Sequence, residues 1–250
     1  MISKNQIKFI KTLHKGKSRR KEKQFIVEGV KVVDEFINSK FNIISIYALV
    51  DWINENENVN CNISEVSEKE LHAISLLKTP NKVLAVIEYN DTKSIEYQSG
   101  DLILALDTIQ DPGNMGTIIR IADWFGINKI ICSTETADAY NPKVVQATMG
   151  AITRVNIEYT NLTQWINNLP KDVNVYGTML DGENMYSSNL SSQGVIVMGN
   201  EGNGISEEVQ KVLTDRIKIP SYTNSEMESL NVAVATSIVC AEFRRGSNKI

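Results

Sequence analysis

Cysteine is scarce in this chain: Cys61, Cys132 and Cys240 are the only three in 250 residues, and no two form a C-x-x-C pair. That excludes a zinc ribbon, a redox dithiol motif and a disulfide framework, and it fits a reducing cytoplasm. Long apolar runs are also missing, and none approaches the length needed to span a bilayer. The opening MISKNQIKFIKTLHKGK lacks the uninterrupted apolar core followed by small residues that marks a secretory signal. There is no internal repeat, no low-complexity tract and no evident cluster of metal ligands. A soluble cytoplasmic protein is therefore expected, with no membrane and no metal. The rest is ordinary for a globular chain, 42% hydrophobic and 22% charged, and long enough for two domains.

The net charge of −4 conceals an asymmetry. Residues 1–31 hold ten Lys or Arg against Glu22 and Glu28, a local charge of +8, which leaves −12 on the remainder. A basic stretch on an acidic body suggests one surface built to meet a polyanion, although a solvated helix face would look the same.

Along the chain, short apolar runs alternate with helical patterns. Residues 3–14 have helical spacing, and KGKSRRKEK after them reads as a loop or frayed helix end. FIVEG, NIISIYALV and KVLAVIEY read as strands, VKVVDEFINS and SEKELHAISLL as helices, the latter with Ser67 as its cap. Residues 90–100 have little apolar content and are the candidate linker. Beyond them LILALD, KIIC, VNVYGTM, GVIVMG and RIKIP read as strands. Helices are expected at about 114–125, 142–149, 206–213 and 229–244. This alternation predicts α/β architecture with a parallel sheet covered by helices, and ligands in such sheets gather at the loops beyond the strands' carboxyl ends.

Three of those loops have unusual chemistry. In LDTIQDPGNMGTIIRIADWFGI, Asp111, Pro112 and Gly113 make a turn, Asn114 stands where a helix N-cap would, and Arg120 follows in the second helical turn. In GVIVMGNEGNGIS, Gly199, Gly202 and Gly204 free the backbone to approach a ligand. The spacing is not G-x-G-x-x-G and no lysine follows, so neither a dinucleotide fingerprint nor a phosphate-binding P-loop is present. Glu201 within that loop suits ligand hydroxyls or an arginine better than a phosphate. In IKIPSYTNSEMESLNVAVATSIVCAEFRR, a polar loop leads into an apolar helix at Ser229-Leu230-Asn231, with Ser229 able to cap it. Each loop alone is also what a capped helix or a tight structural turn looks like.

Taken in order, DPGNMGTIIR, GNEGNGIS and IPSYTNSEMESLNV resemble the three signature motifs of the SpoU (TrmH) RNA 2′-O-methyltransferases, over about residues 100–245. The helix, the RRKEK stretch and FIVEG resemble the substrate-binding domain that precedes the catalytic domain in many members. Two departures stand out. The loop between Pro220 and Ser229 is longer than usual and lacks the common glycine, and Ala233 stands where many members have a second serine.

The resemblance implies an α/β fold in which a C-terminal α/β knot, a deep trefoil with a mostly parallel sheet, follows a smaller α/β RNA-binding domain. The division falls at residues 1–95 and 96–250. It implies S-adenosylmethionine as cofactor, contacted by Gly199, Ile219 and Leu230, with Thr178 a weaker candidate, and it implies a homodimer through the knotted region. It implies Arg120 as principal catalytic residue, with Asn114, Glu201, Ser229 and Asn231 completing the site. Lys15, Lys17, Arg19, Arg20 and Lys21 are the expected RNA contacts. Large-subunit ribosomal RNA is the expected substrate. A tRNA 2′-O-methyltransferase, or an RNA-binding protein whose catalytic site has decayed, are the alternatives.

Overall fold

The computed structural model describes residues 2–90, 94–222 and 229–245. In chain order its elements begin with α1 (Lys4–Thr12), α2 (Gly16–Glu22), β1 (Gln24–Glu28), α3 (Val30–Ile37) and β2 (Ile43–Ala48). Next come α4 (Val50–Glu55), β3 (Ile63–Glu65), α5 (Glu68–Ile74), β4 (Val83–Glu88), β5 (Leu102–Leu106) and α6 (Pro112–Trp124). The chain continues through β6 (Lys129–Cys132), α7 (Pro142–Thr148), β7 (Asn156–Tyr159), α8 (Leu162–Asn167) and β8 (Val175–Asn184). It ends with β9 (Gly194–Met198), α9 (Glu207–Gln210), β10 (Asp215–Lys218) and α10 (Val232–Arg245). Two compact units result, Met1–Asp91 with Asp138–Thr153, and Thr92–Ala137 with Arg154–Ile250.

The first unit is a four-stranded sheet in the order β1-β4-β2-β3. Here β4 lies between β1 and β2 and runs antiparallel to both, and only β2 and β3 pair in parallel. The expectation of a parallel sheet therefore fails in this unit, because alternation of strands and helices does not by itself fix strand direction. A core of Ile10, Leu13, Ile26, Tyr47, Leu71, Ile74, Leu84 and Val86 fills one face. Ser67 caps α5 as expected, its hydroxyl accepting from Glu70 N–H while the Glu70 carboxylate returns to the Ser67 N–H.

Two features of this unit were not legible in the sequence. KGKSRRKEK is helical at α2, because Arg19 turns inward, and a tertiary contact overrides weak local periodicity. Arg19 is 2% exposed, lies 2.6 Å from Asp138 and donates to the carbonyls of Leu13 and His14 at 3.0 Å each. The second is residues 138–153, which belong with the N-terminal residues rather than with their sequence neighbours. Tyr140 stacks on Phe25 at 4.4 Å and lies 4.3 Å from Tyr89, and Val144 and Val145 of α7 are buried. A division at residue 95 thus does not separate the compact units. The chain passes between them three times.

The second unit is a six-stranded sheet in the order β10-β8-β9-β5-β6-β7, in which every pairing is parallel. β5 and β9 are buried at every position, as strands covered on both faces must be, which is why LILAL and GVIVM read as unbroken apolar runs. One face packs Ile103, Ala105, Val195 and Val197 against Leu162, Ile166, Ile205 and Val209. On this unit α10 packs against α6, and Arg244 Nε donates to the Phe125 carbonyl at 2.9 Å. The helix expected at 206–213 is shorter, Glu207–Gln210, and the strand expected at VNVYGTM is longer, reaching Asn184. Of the candidate linker, residues 91–93 lie outside the described residues and 94–100 have no regular structure. No described helix is long and apolar enough to cross a membrane.

Candidate active site

The site is built at the carboxyl ends of β5, β9 and β10, at the middle of β8 and at the approach to α10. The cap of α6 is Asp111, whose carboxylate accepts from the Asn114 N–H at 2.8 Å, with Pro112 at the first helical position. The expectation that Asn114 is itself the cap is corrected, with a functional consequence. Standing three residues inside the helix, its side chain is free to point outward, where Nδ2 donates to Glu201 Oε1 at 2.7 Å. Asn231 Nδ2 in turn donates to Asn114 Oδ1 at 3.0 Å. Glu201 of the loop after β9, Asn114 of the first turn of α6 and Asn231 at the start of α10 form one hydrogen-bonded chain. The amide of Asn114 is engaged at both ends, which fixes its orientation.

Asn231 is also the cap of α10, its Oδ1 accepting from the N–H groups of Ala233 and Val234 at 3.0 and 3.3 Å. The helix therefore opens at Val232, later than expected, and Ser229 stands outside it, exposed. Ala233 is buried in the helix, 3% exposed, where a serine hydroxyl would need a partner. The extra loop length falls largely on residues 223–228, outside the described residues.

Beside Glu201 opens a cavity of ≈ 820 Å³, well within the range of small-molecule sites. All four residues expected to contact a cofactor, Thr178, Gly199, Ile219 and Leu230, line it, as do Glu201 and Ser229. Apolar walls from Met198, Ile217 and Val232 face polar side chains from Asp181 and Gln210, while the Asn200 amide, also at the wall, is turned to its own loop and accepts from the Gly202 N–H at 2.9 Å. That mixture suits a ligand with both an apolar and a hydrogen-bonding part. The hydroxyl of Thr178 is already committed, donating to the Val197 carbonyl at 2.9 Å, so it shapes the wall more than it offers a bond.

One wall depends on a break in the sheet that sequence did not reveal. Between β8 and β10 the register shifts, Arg216 facing Gly177 and Ile217 facing Glu183, so residues 178–182 bulge off the ladder. Met179, Leu180 and Asp181 of the bulge line the cavity, and Asp181 is held by Arg216 at 2.9 Å. A Cβ at Gly182 would lie 2.5 Å from the carbonyl carbon of Ile217, so the return of the bulge requires glycine. The Gly-Thr-Met-Leu-Asp-Gly sequence was the available signal.

Arg120 stands apart from this constellation. Six residues on from Asn114, it lies about 9 Å along α6 and a third of a turn around it. It is exposed, and among the described residues nothing pairs with it. Within one chain the structure joins Asn114, Glu201 and Asn231 but leaves Arg120 outside. Trp124, one turn on, is 84% exposed.

Of the expected RNA contacts, Lys15, Lys17, Arg20 and Lys21 are exposed, whereas Arg19 is buried and paired. Arg19 is withdrawn from that group: its guanidinium is consumed by Asp138 and two carbonyls. Burial pushes the Cys132 thiol well up and that of Cys240 to about 12, so neither offers a thiolate near neutral pH. Among the described residues no group of His, Cys, Asp and Glu is arranged to hold a metal ion.

Residues 101–241 match the model of the SpoU rRNA Methylase family. The chain belongs to that family. Residues 4–85 match the MRM3-like substrate binding domain. A 23S rRNA (guanosine(2553)-2′-O)-methyltransferase, RlmP of Bacillus subtilis, is 31% identical over 247 residues, 97% of each chain. A solved TrmH-family structure from Porphyromonas gingivalis superposes with a TM-score of 0.90 at 38% identity, covering 98% of this chain and 99% of its own. An AdoMet-bound rRNA methyltransferase from Sinorhizobium meliloti does so at 0.85 and 30%, covering 98% and 96%.

Proposed function

We propose that this SpoU-family chain transfers the methyl group of S-adenosylmethionine to a ribose 2′-hydroxyl in large-subunit ribosomal RNA. The observation that carries the reading is the chain Glu201–Asn114–Asn231, whose Glu201 end lines a cavity together with Thr178, Gly199, Ile219 and Leu230. S-adenosylmethionine fits that cavity in size and in its mixture of apolar and polar walls, and it supplies an electrophilic methyl group. The choice of ribosomal RNA is supported by the name of the Bacillus subtilis relative, which matches along nearly the whole of both chains.

The protein's part in such a transfer is placement, which can supply up to ~7–11 kcal/mol of a barrier. Glu201 and Asn114 orient the target ribose, and Ser229 and Asn231 complete the polar rim. Arg120 holds the RNA phosphate; a guanidinium is a poor base but a good bidentate clamp. Because Arg120 makes no hydrogen bond or ion pair with Glu201, Asn114 or Asn231 within one chain, it serves the site of a second copy. The exposed face of α6, with Arg120 and Trp124, and the exposed Val234 of α10 support a homodimer through the knotted region. The sheet order and the packing of α10 on α6 support the family's deep trefoil knot. The first unit grips RNA through Lys15, Lys17, Arg20 and Lys21, and the enzyme works in the cytoplasm.

Incubation with methyl-labelled S-adenosylmethionine and ribosomal RNA, followed by mapping of ribose methylation, tests the reading. One 2′-O-methylated nucleotide in large-subunit RNA is expected. Transfer to tRNA alone would overturn the substrate, and binding without transfer to any RNA would overturn the activity.

A further inference from the structure

Thr108, at the turn between β5 and α6, has φ +60°, the left-handed region that β-branched residues avoid. Such outliers persist only where surrounding structure holds them, and here the holding is visible. The Thr108 N–H donates to Ser133 Oγ at 2.9 Å, and its hydroxyl to the buried Asp107 carboxylate at 3.2 Å. The conformation turns the Thr108 carbonyl toward the second motif loop, where it accepts from Asn200 Nδ2 at 2.8 Å.

At its other end Asn200 organises the turn that carries Glu201. Asn200 Oδ1 accepts from the N–H groups of Gly202 and Asn203 at 2.9 and 3.0 Å. Its backbone exchanges two hydrogen bonds of 2.9 Å with Gly204. Two N–H donors on one side and a carbonyl on the other leave the amide a single satisfied orientation. The turn is already closed by the Gly204 bonds and by Oδ1. The Nδ2 bond to Thr108 adds nothing to that closure. It fixes the turn against the β5–α6 loop, which leads into the first turn of α6 where Asn114 stands, and so ties together the same two regions as the Asn114–Glu201 contact. Asp107 reinforces the clamp, its second oxygen accepting from the Ser206 N–H at 2.8 Å.

We infer that Asn200 is a positioning residue for methyl transfer, tying the Glu201 turn to the left-handed Thr108 carbonyl so that Glu201 is delivered to Asn114. It acts through Glu201 and contributes no chemistry of its own. In its kinetic arm this rests on the proposed methyl transfer.

Asn200→Asp separates the two bonds made by this side chain. One aspartate oxygen still closes the turn, while the other sets a lone pair against the Thr108 carbonyl and repels it. The expected result is a kcat lowered about 10- to 100-fold, the scale of an ångström-sized misplacement. KM for RNA and the calorimetric Kd for S-adenosylmethionine should change by less than about threefold, since binding is not what the tether controls. In a Glu201→Ala background the same substitution should cost less than about twofold, because there is no longer a carboxylate to place. An unchanged kcat would overturn the inference, as would loss of cofactor binding, or a full loss repeated on top of Glu201→Ala. A crystal structure of Asn200→Asp gives a readout independent of turnover. Displacement of the Glu201 carboxylate out of hydrogen-bond reach of Asn114 supports the tether, and an undisturbed contact overturns it. Were the wild type to transfer no methyl group, the proposed function would fall and that structure alone would decide.

Discussion

Arg120 and Glu28 are both charged side chains at the ends of conspicuous sequence motifs, and their surroundings give them different kinds of consequence. Arg120 is exposed on α6, so its replacement should leave the fold alone and show only in turnover. Arg120→Lys keeps the charge but loses the planar fork that grips a phosphate bidentately. Single-turnover methyl transfer by this variant should fall about 100-fold with cofactor affinity unchanged. Glu28 is 7% exposed and closes the loop after α5, accepting from the Ser75 hydroxyl and from the Leu76 N–H at 3.0 Å. Burial pushes its carboxyl above the usual range, and the bonds from Ser75 and Leu76 only partly offset this. The folded state therefore holds the proton more tightly than the unfolded chain. The resulting stabilisation is complete below the ordinary carboxylate pKa of about 4.3 and is lost as pH rises through the raised value. Thermal unfolding of Glu28→Gln, which keeps an acceptor and carries no charge, should lose that part of the acid-side advantage. Identical pH slopes for variant and wild type would count against it.

At the scale of elements, α2 combines two tasks that its sequence does not distinguish. Arg19 faces inward to Asp138, while Lys15, Lys17, Arg20 and Lys21 face solvent. Removing one partner of a buried pair costs ~3–5 kcal/mol, and because the Asp138 side chain is a quarter exposed the lower end applies. Arg19→Ala should thus destabilise the first unit by about 3 kcal/mol in denaturant unfolding. Joint replacement of the four exposed cations by alanine should change stability by no more than about 0.5 kcal/mol per substitution. That variant should instead weaken RNA binding and flatten its salt dependence. Unfolding curves and RNA titrations at two salt concentrations separate the two outcomes. RRK in the sequence announces charge, but which guanidinium is spent internally depends on a residue 119 positions away.

For the whole molecule, the assignment of residues 138–153 to the first unit changes what a truncation does. A chain lacking residues 1–95 keeps every residue of the Glu201–Asn114–Asn231 chain, yet it uncovers Tyr140, Val144 and Val145, which are packed with the N-terminal residues. It should bind RNA poorly and should also aggregate, with exposed apolar surface detectable by dye binding. Replacing residues 138–153 in that truncated chain by a short polar linker should restore solubility and cofactor binding. If the simple truncation is already monodisperse, the unit boundaries described here are wrong.

The sequence by itself determined five of the six strands of the second unit, missing β7 and the short helix α8 that follows it. β5 and β9 are buried on both faces, so their composition announces them, and the three motif loops sit next to strand ends where chain direction leaves them little choice. Through the family resemblance it also supplied Thr178, Gly199, Ile219 and Leu230 of the cavity lining and all three members of the polar chain. Tertiary structure alone decided how those residues meet. That Asn114 lies inside α6 rather than at its cap, that Asn231 rather than Ser229 opens α10, and that residues 178–182 leave the ladder all follow from contacts between distant segments. The same holds for the mixed strand directions of the first sheet and for Arg19. Local patterning records which face of an element is apolar; it holds no record of the partner a polar side chain finds across the fold, because that bond is chosen only after the elements have packed.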